Sequence, residues 1–369
     1  MHLFEPMRLR SVTLRNRLGL PPMSQYSADE HRVTSWHLTH YATRAIGPGL
    51  VVVEATAVSP QGLVTPQDLG IWDDAFTGPL TRLADVIREQ GAVPGIQLSH
   101  GGRKGSRTRP WDGDRWIRPE EGGWEVVGPS AIRFADGYPV PKALTEREID
   151  RVIDQFAEAA ARALACGYEF LELHAGHGRL LHSFLSPAAN RRTDGWGGDI
   201  AARSRLLVEV VRAVRARWSD DLPLGVRLSC VDWLEDGWSL DDSVWLSRVL
   251  RAEGVDLVDC SSGGILRPLS VERKPGYQVP FARRIRQETG IATASVGMIR
   301  DLWQAGEIIE AGDSDLVFLG RSMLVEPLQI VRAAAQGMVP KSLVPLQYRR
   351  AVDQLGGTAG AGEDVPPEL

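Results

Sequence analysis

The stretch Glu169-Phe-Leu-Glu-Leu-His174-Ala-Gly-His177-Gly-Arg179 reads as a short apolar strand that delivers two histidines at its C-terminal end. The segment before it, Thr145 to Cys166, reads as a helix: Thr145 and Glu148 form a capping box, and Ile149, Val152, Ile153, Phe156, Ala160, Ala163 and Leu164 share one face. Gly167 stops that helix at the left-handed position glycine favours. A helix feeding an apolar strand that ends in polar groups is how a parallel α/β barrel presents its chemistry. Two neutral imidazoles on one loop can both donate to a single oxygen on which negative charge develops.

Working outward, short apolar runs recur at Leu18–Leu20, Leu50–Val53, Val93–Leu98, Phe170–Leu173, Leu224–Leu228, Val255–Asp259, Ile291–Val296 and Leu316–Leu319. Helical patterns fall between them at Leu80–Glu89, Ile149–Cys166, Arg205–Trp218, Asp241–Ala252, Phe281–Glu288, Leu302–Glu310 and Leu328–Ala335. That alternation predicts a (β/α)8 TIM barrel, whose usual size of about 250 residues leaves room for insertions. An open doubly wound sheet would carry a glycine-rich turn after its first strand, which Leu20-Pro-Pro-Met-Ser lacks. Arg8–Arg15 alternates polar and apolar residues and predicts a hairpin capping the barrel floor. Gly101–Lys142, after strand three, is a long inserted loop with Trp111, Trp116 and Trp124, expected to be an ordered lid. The domain is expected to span residues 1–352, with 353–369 a disordered, glycine-rich tail.

Composition narrows the class. A net charge of −5 and a pI near 6.0 argue against a nucleic-acid binder. Cys166, Cys230 and Cys260 match no metal or redox spacing. No apolar run approaches the roughly 18 residues of a membrane span, and Met1-His-Leu-Phe-Glu-Pro does not read as a signal peptide. A cytoplasmic protein is expected.

Polar residues and glycines gather where the eight strands end. They are Pro22, Met23, Ser24 and Tyr26; Glu54 and Ala55; Gln97 and His100; His174 and His177; Arg227; Ser261; Gly297; and Gly320 with Arg321. Glycines after strands seven and eight are the phosphate seat of such barrels, to which Arg321 would add a clamp, or else they simply make tight turns. Gln97 suits a planar heterocycle or is a satisfied core amide. Arg227 needs an anionic or electron-rich partner, or else a salt bridge. His174 and His177 could donate to a substrate oxygen, sit as a structural pair, or ligate zinc with His100, Glu172 or Asp194. No third ligand has supporting spacing, so no metal is expected.

These residues, in this order, resemble the old yellow enzymes, FMN-dependent (β/α)8 ene-reductases, and among them the bacterial thermophilic-like and xenobiotic-reductase branch. The likeness runs from Phe4 to Arg350. It is carried by Pro22-Met23-Ser24-Gln25-Tyr26-Ser27, Gln97-Leu-Ser-His-Gly-Gly-Arg103-Lys104, His174-Ala-Gly-His177-Gly, Phe184-Leu-Ser-Pro-Ala-Ala-Asn190-Arg-Arg192-Thr-Asp194-Gly-Trp-Gly198-Gly and Gly320-Arg321. The resemblance implies that Pro22, Met23, Ser24, Ala55, Gln97 and Arg227 surround the flavin ring of FMN. It implies that Gly297, Gly320 and Arg321 hold the FMN phosphate, that His174 and His177 bind the substrate carbonyl, and that Tyr26 lines the pocket. It implies NADPH or NADH as reductant, a small-molecule substrate, and a homo-oligomer, dimer or tetramer, in which Arg350 reaches a neighbour's site.

Two residues depart from the family pattern. Ser24 stands where this branch often has a cysteine, and a hydroxyl does not ionise as a thiol does. Arg179 stands where the family places the tyrosine that protonates the substrate's α-carbon, and a guanidinium is a poor acid near neutrality. Three outcomes are open: reduction finished by another acid or water, flavin chemistry diverted to isomerisation or dehydrogenation, or flavin or ligand binding without turnover; a non-flavin barrel lyase is the remaining alternative. Arg179 itself would pair with a substrate carboxylate or phosphate, or form a surface ion pair. The arginines of the excursion, Arg107, Arg109, Arg115 and Arg118, suit an anionic or aromatic ligand or simply edge the lid.

Overall fold

A computed structural model describes residues 2–267, 271 and 273–357. Eight parallel strands close into a barrel: β1 Leu18–Leu20, β2 Leu50–Ala57, β3 Val93–Ser99, β4 Phe170–Ala175, β5 Leu224–Ser229, β6 Leu257–Ser261, β7 Ala292–Ser295 and β8 Leu316–Phe318. Each pairs with its sequence neighbours, and β8 pairs with β1 to complete the ring. Strands buried on both faces read as continuous apolar runs, which is why all eight were legible without an alternating pattern.

The predicted hairpin is Met7–Leu9 against Val12–Leu14, antiparallel. Met7, Leu9, Val12 and Leu14 pack on Leu50, Phe170, Leu257, Leu316 and Phe318 from the lower layer of the barrel and plug its N-terminal end. Glycines make room for that layer. A Cβ at Gly225 would lie 2.6 Å from the Phe170 ring, and one at Gly19 would lie 2.5 Å from Phe318. Strand glycines here mark close approach of a neighbouring ring. The hairpin is also tethered by charge, since Asp256 accepts from Arg10 Nε (2.7 Å) and Arg215 Nη2 (2.5 Å).

The helix before β4 spans Glu146–Ala165, with both halves of the Thr145–Glu148 capping box in place and Gly167 at φ +82°. Four helices escaped the sequence reading. In Ser35–Arg44 the buried positions are His37, His40 and Tyr41, so no apolar stripe announces it. Leu180–Leu185 is buried on every face, and periodicity vanishes. Arg321–Val325 is too short to show a period. The fourth, Leu346–Gly357, corrects the expected disorder from residue 353: the helix continues through Asp353–Gly357, docked by buried Val352. The rest of that expected tail, residues 358–369, lies outside the described residues.

Candidate active site

Parallel register assembles the mouth of the barrel. Gln97 on β3 pairs with Glu172 on β4, His174 on β4 with Arg227 on β5, and Arg227 with Asp259 on β6. Inward side chains from adjacent strands therefore meet in one layer. Gln97 Nε2 donates to Glu172 Oε1 (2.7 Å), Arg227 Nε lies 3.0 Å from Asp259 Oδ2, and Arg227 Nη1 donates to the Pro22 carbonyl (3.4 Å). Gln97 and Arg227 are thus held by partners, as their alternative readings required, while lying at the strand ends with Pro22. Burial, and then the charge of Asp259, raises the Glu172 carboxyl above the ordinary range; burial also raises Asp259, against the pull of Arg227. Sequence reasoning missed both acids as part of this layer, although Glu172 stands two residues before His174 and so shares its face.

A bulge aims Ala55. The β2–β3 register runs Val53↔Ile96 and then Ala55↔Gln97, so Glu54 is one residue extra. Ala55 becomes the least buried position of β2. Glu54 turns to the next layer instead, where it lies 3.3 Å from His37 Nε2 and accepts from the Gln25 backbone N–H (2.5 Å). That contact anchors the loop Met23-Ser24-Gln25-Tyr26, in which Tyr26 adopts φ +51° and hydrogen-bonds Ser24. The loop lies beside the β8 end: a Cβ at Gly320 would stand 3.4 Å from Met23 Sδ.

Beyond β7 and β8 a cavity of about 390 Å³ is lined by Gly297, Met298, Arg300, Gly320, Arg321 and Ser322, among others. Gly297 sits at φ +116°, and a Cβ there would meet Gln278 Nε2 at 2.6 Å, so glycine is required. Arg321 is exposed at the first turn of its helix, with no ionic partner among the described residues. Ser322 Oγ is buried without a hydrogen-bond partner. Sequence reasoning missed Ser322 and Arg300, whose position in this cavity no motif announced.

The two histidines sit over this layer with ring centroids 5.2 Å apart at 74°. His177 takes φ +55° and Gly178 φ +72°. The bend is held by the His177 N–H donating to Ser229 Oγ (2.8 Å) and the Gly178 N–H donating to His182 Nδ1 (2.8 Å). His182 in turn lies 3.0 Å from buried Asp232. Burial first, then neighbouring cations and imidazoles, lowers both His174 and His177 well below the usual histidine range, so both are neutral. His177 Nε2 meets Ser261 Oγ at 2.6 Å, while His174 Nδ1 is buried with no partner.

Arg179 follows on the same loop, half-buried. Its Nε and Nη1 are buried and unpartnered. The surface ion pair that sequence allowed is not formed among the described residues. Its charge acts on Tyr26, Asp68, Lys104, His174 and His177, which places it at the same mouth.

The excursion is ordered by its own pairs. Arg107 bonds Asp114 (3.1 Å) and lies 3.7 Å over the Tyr138 ring. Arg109 bonds Asp112 (2.6 Å), Arg115 bonds Glu121 (3.0 Å), and Arg118 lies 3.9 Å from Glu120. Of the three tryptophans, Trp111 reaches Tyr26 edge-on, with centroids 5.7 Å apart, while Trp116 lies under Arg118 and the Trp124 indole packs at Gly105. Arg350 is exposed on the last helix and its side chain pairs with no other described residue.

These donors suit FMN. The cavity at β7 and β8 offers unpaired Arg321 and orphaned Ser322 Oγ for a phosphate, and the Gln97–Arg227 layer offers polar groups beside an open Ala55 for a flat ring. Comparison with known proteins agrees. Residues 2–339 match the model of the NADH:flavin oxidoreductase / NADH oxidase family. The NADPH dehydrogenase of Geobacillus thermodenitrificans is 44% identical over 94% of this chain and 98% of its own, and that of Bacillus subtilis is 40% identical over the same shares. The solved old yellow enzyme homologue of Zymomonas mobilis shares the fold, with a TM-score of 0.75 at 24% identity over 95% of this chain and 98% of its own. The chain therefore belongs to the old yellow enzyme family and is an FMN-dependent NAD(P)H oxidoreductase.

Proposed function

We propose that the protein reduces the C=C bond of an alkene conjugated to a carbonyl, with His174 and His177 holding the carbonyl oxygen. The observation that carries this is a pair of neutral imidazoles fixed by a strained loop at the mouth, with His174 Nδ1 unpartnered. FMN, when bound, supplies hydride donation and acceptance. Pro22, Met23, Ser24, Ala55, Gln97 and Arg227 would hold its ring, and Gly297, Gly320 and Arg321 its phosphate. As reduction proceeds, negative charge gathers on the substrate oxygen, and two donors already in place stabilise it without reorganisation. Neutrality matters, because a neutral imidazole can donate without the cost of burying an imidazolium. Tyr26 and Trp111 wall the mouth with aromatic faces, which suits a planar substrate. A homo-oligomer in which Arg350 reaches a neighbouring mouth completes the reading; light scattering that shows a monomer would remove that part.

Arg179 supports a second reading. A guanidinium does not release a proton near neutrality, so the proton for the α-carbon must come from elsewhere, such as water or the Tyr26 phenol. If none arrives, the chemistry turns to isomerisation or dehydrogenation. Anaerobic stopped-flow separates the two. Bleaching of the yellow protein by NADPH followed by reoxidation with cyclohexenone supports reduction. Bleaching without reoxidation supports the diverted chemistry, and no bleaching at all overturns both in favour of a binding protein.

A further inference from the structure

We propose that Arg179 is the receptor for a carboxylate on the substrate, so that the preferred alkene carries an acid group besides the carbonyl that the histidines hold, simple enones being slower alternatives. This rests on the reductase reading for what the histidines hold, but its own observation is separate. Two of the three guanidinium nitrogens, Nε and Nη1, are buried and without a hydrogen-bond partner. A buried donor left without a partner costs about 1–3 kcal/mol, and a guanidinium cannot escape by losing its proton.

Among the described residues no carboxylate bonds Arg179, although the charge of Asp68 lies close enough to act on it. The carboxylate that acts on the Arg179 side of the mouth is Asp68, and its oxygens are committed. Asp68 Oδ2 accepts from the backbone N–H of Val64 (2.8 Å) and Thr65 (3.1 Å), and Oδ1 accepts from the Thr65 hydroxyl (2.7 Å). The other groups under the influence of Arg179 are the neutral imidazoles His174 and His177, the Tyr26 phenol and Lys104. By contrast, Arg107, Arg109 and Arg115 in the nearby lid each bond a carboxylate of the lid itself. Arg179 is thus, beside the histidine pair, a charge that the described residues leave for a ligand.

The charge count selects the class of anion. Lys104, the second cation nearby, donates to the His177 carbonyl (2.8 Å) and lies 4.2 Å over the Phe134 ring. Burial, and then Arg179, hold its ammonium well below its ordinary value, so it adds little charge. One free guanidinium matches one monoanion, and a carboxylate accepts the planar fork of donors that a guanidinium offers.

Calorimetry on the FMN-loaded protein at pH 7 tests this with five small aromatics: 3- and 4-hydroxybenzoate, the two matching hydroxybenzamides, and benzoate. The two isomers bracket the span between the histidine pair and Arg179. At least one hydroxybenzoate should bind about 10- to 100-fold tighter than its amide, the range expected of charge-assisted hydrogen bonds. Arg179→Gln should erase that preference, and Arg179→Lys should keep part of it, with flavin content and melting temperature checking that each variant is folded. Equal binding of acid and amide for both isomers overturns the proposal, whether or not the variants fold. If the carboxylate helps while the hydroxyl does not, the histidine reading fails and the Arg179 assignment stands. If the hydroxyl helps while the carboxylate does not, the reverse holds.

Discussion

The lid and the loop after β4 both set arginines at the mouth of the barrel, and they treat them in opposite ways. In the lid, Arg107, Arg109 and Arg115 each bond an acid within seven residues in sequence. On the loop after β4, Arg179 has buried nitrogens and no such acid, and His174 beside it has a buried ring nitrogen with no partner. Pairing within a segment is how an irregular loop acquires order without a core of its own. Unmet donors on a rigid strand end are how a protein stores affinity for something it lacks. The difference teaches that residue type and position in the mouth do not by themselves mark a binding group; the inventory of partners does.

If that contrast is sound, removing rim donors should damage chemistry and spare the fold, and removing lid donors should do the opposite. The largest effect should come from His174→Ala with His177→Ala. Loss of the donor pair should slow reoxidation by cyclohexenone at least about 100- to 1000-fold, the usual loss for one such donor, with little change in melting temperature. An unaltered oxidative half-reaction would break the rim half of the comparison. Arg107→Ala comes next. Its guanidinium is buried on the Tyr138 ring and bonds Asp114 and the Gly137 carbonyl, so its loss should cost about 1–3 kcal/mol in charged hydrogen bonds and cation–π contact. Faster limited proteolysis within 105–142 should reveal it, and resistance equal to wild type would break the lid half.

A smaller effect sharpens the boundary between the two regions. Glu172 lies beneath the rim, and burial, then Asp259, raises its carboxyl. A carboxyl raised in the folded state stabilises the protein while it is protonated, and that contribution is lost as pH climbs from the ordinary carboxylate range through the raised value. Glu172→Gln, which fixes the neutral form, should therefore reduce the fall in melting temperature between pH 5.5 and pH 8.5; an undiminished fall would show that Glu172 does not titrate there. The smallest effect belongs to Arg115→Ala, which breaks an exposed pair with Glu121 worth about 0–1 kcal/mol. It should leave hydroxybenzoate affinity where it was. Weakened binding would mean that lid arginines also face the ligand.

Much of this was legible in the chain, and the rest was hidden for reasons that can be named. Buried parallel strands advertise themselves as apolar runs, so Leu50–Val53 and Leu224–Leu228 were found, and the polar residues after them marked the rim. The helix Ser35–Arg44 was hidden because its inward face is His37, His40 and Tyr41 rather than an aliphatic stripe. The acids Glu172 and Asp259 were hidden because each reads as an interruption of an apolar strand until register sets them beside Gln97 and Arg227. The unpaired state of Arg179 could not be read at all. The acid on which its charge acts, Asp68, is more than a hundred residues away in the chain, and only the folded structure shows that the Asp68 oxygens bond Val64 and Thr65.

The surplus residue in β2 makes chain length itself a carrier of information. Glu54 has no opposite number on β3, and Ala55 faces the mouth because of that one-residue offset. Deleting Glu54 would restore an unbroken ladder with Ala55 still opposite Gln97, but would remove the carboxylate that accepts from the Gln25 N–H and anchors the Met23–Tyr26 loop. The lid has no such ladder to respect. Relatives can therefore lengthen or trim the lid freely, whereas one that lacks the surplus residue of β2 must anchor the loop after β1 by some other group.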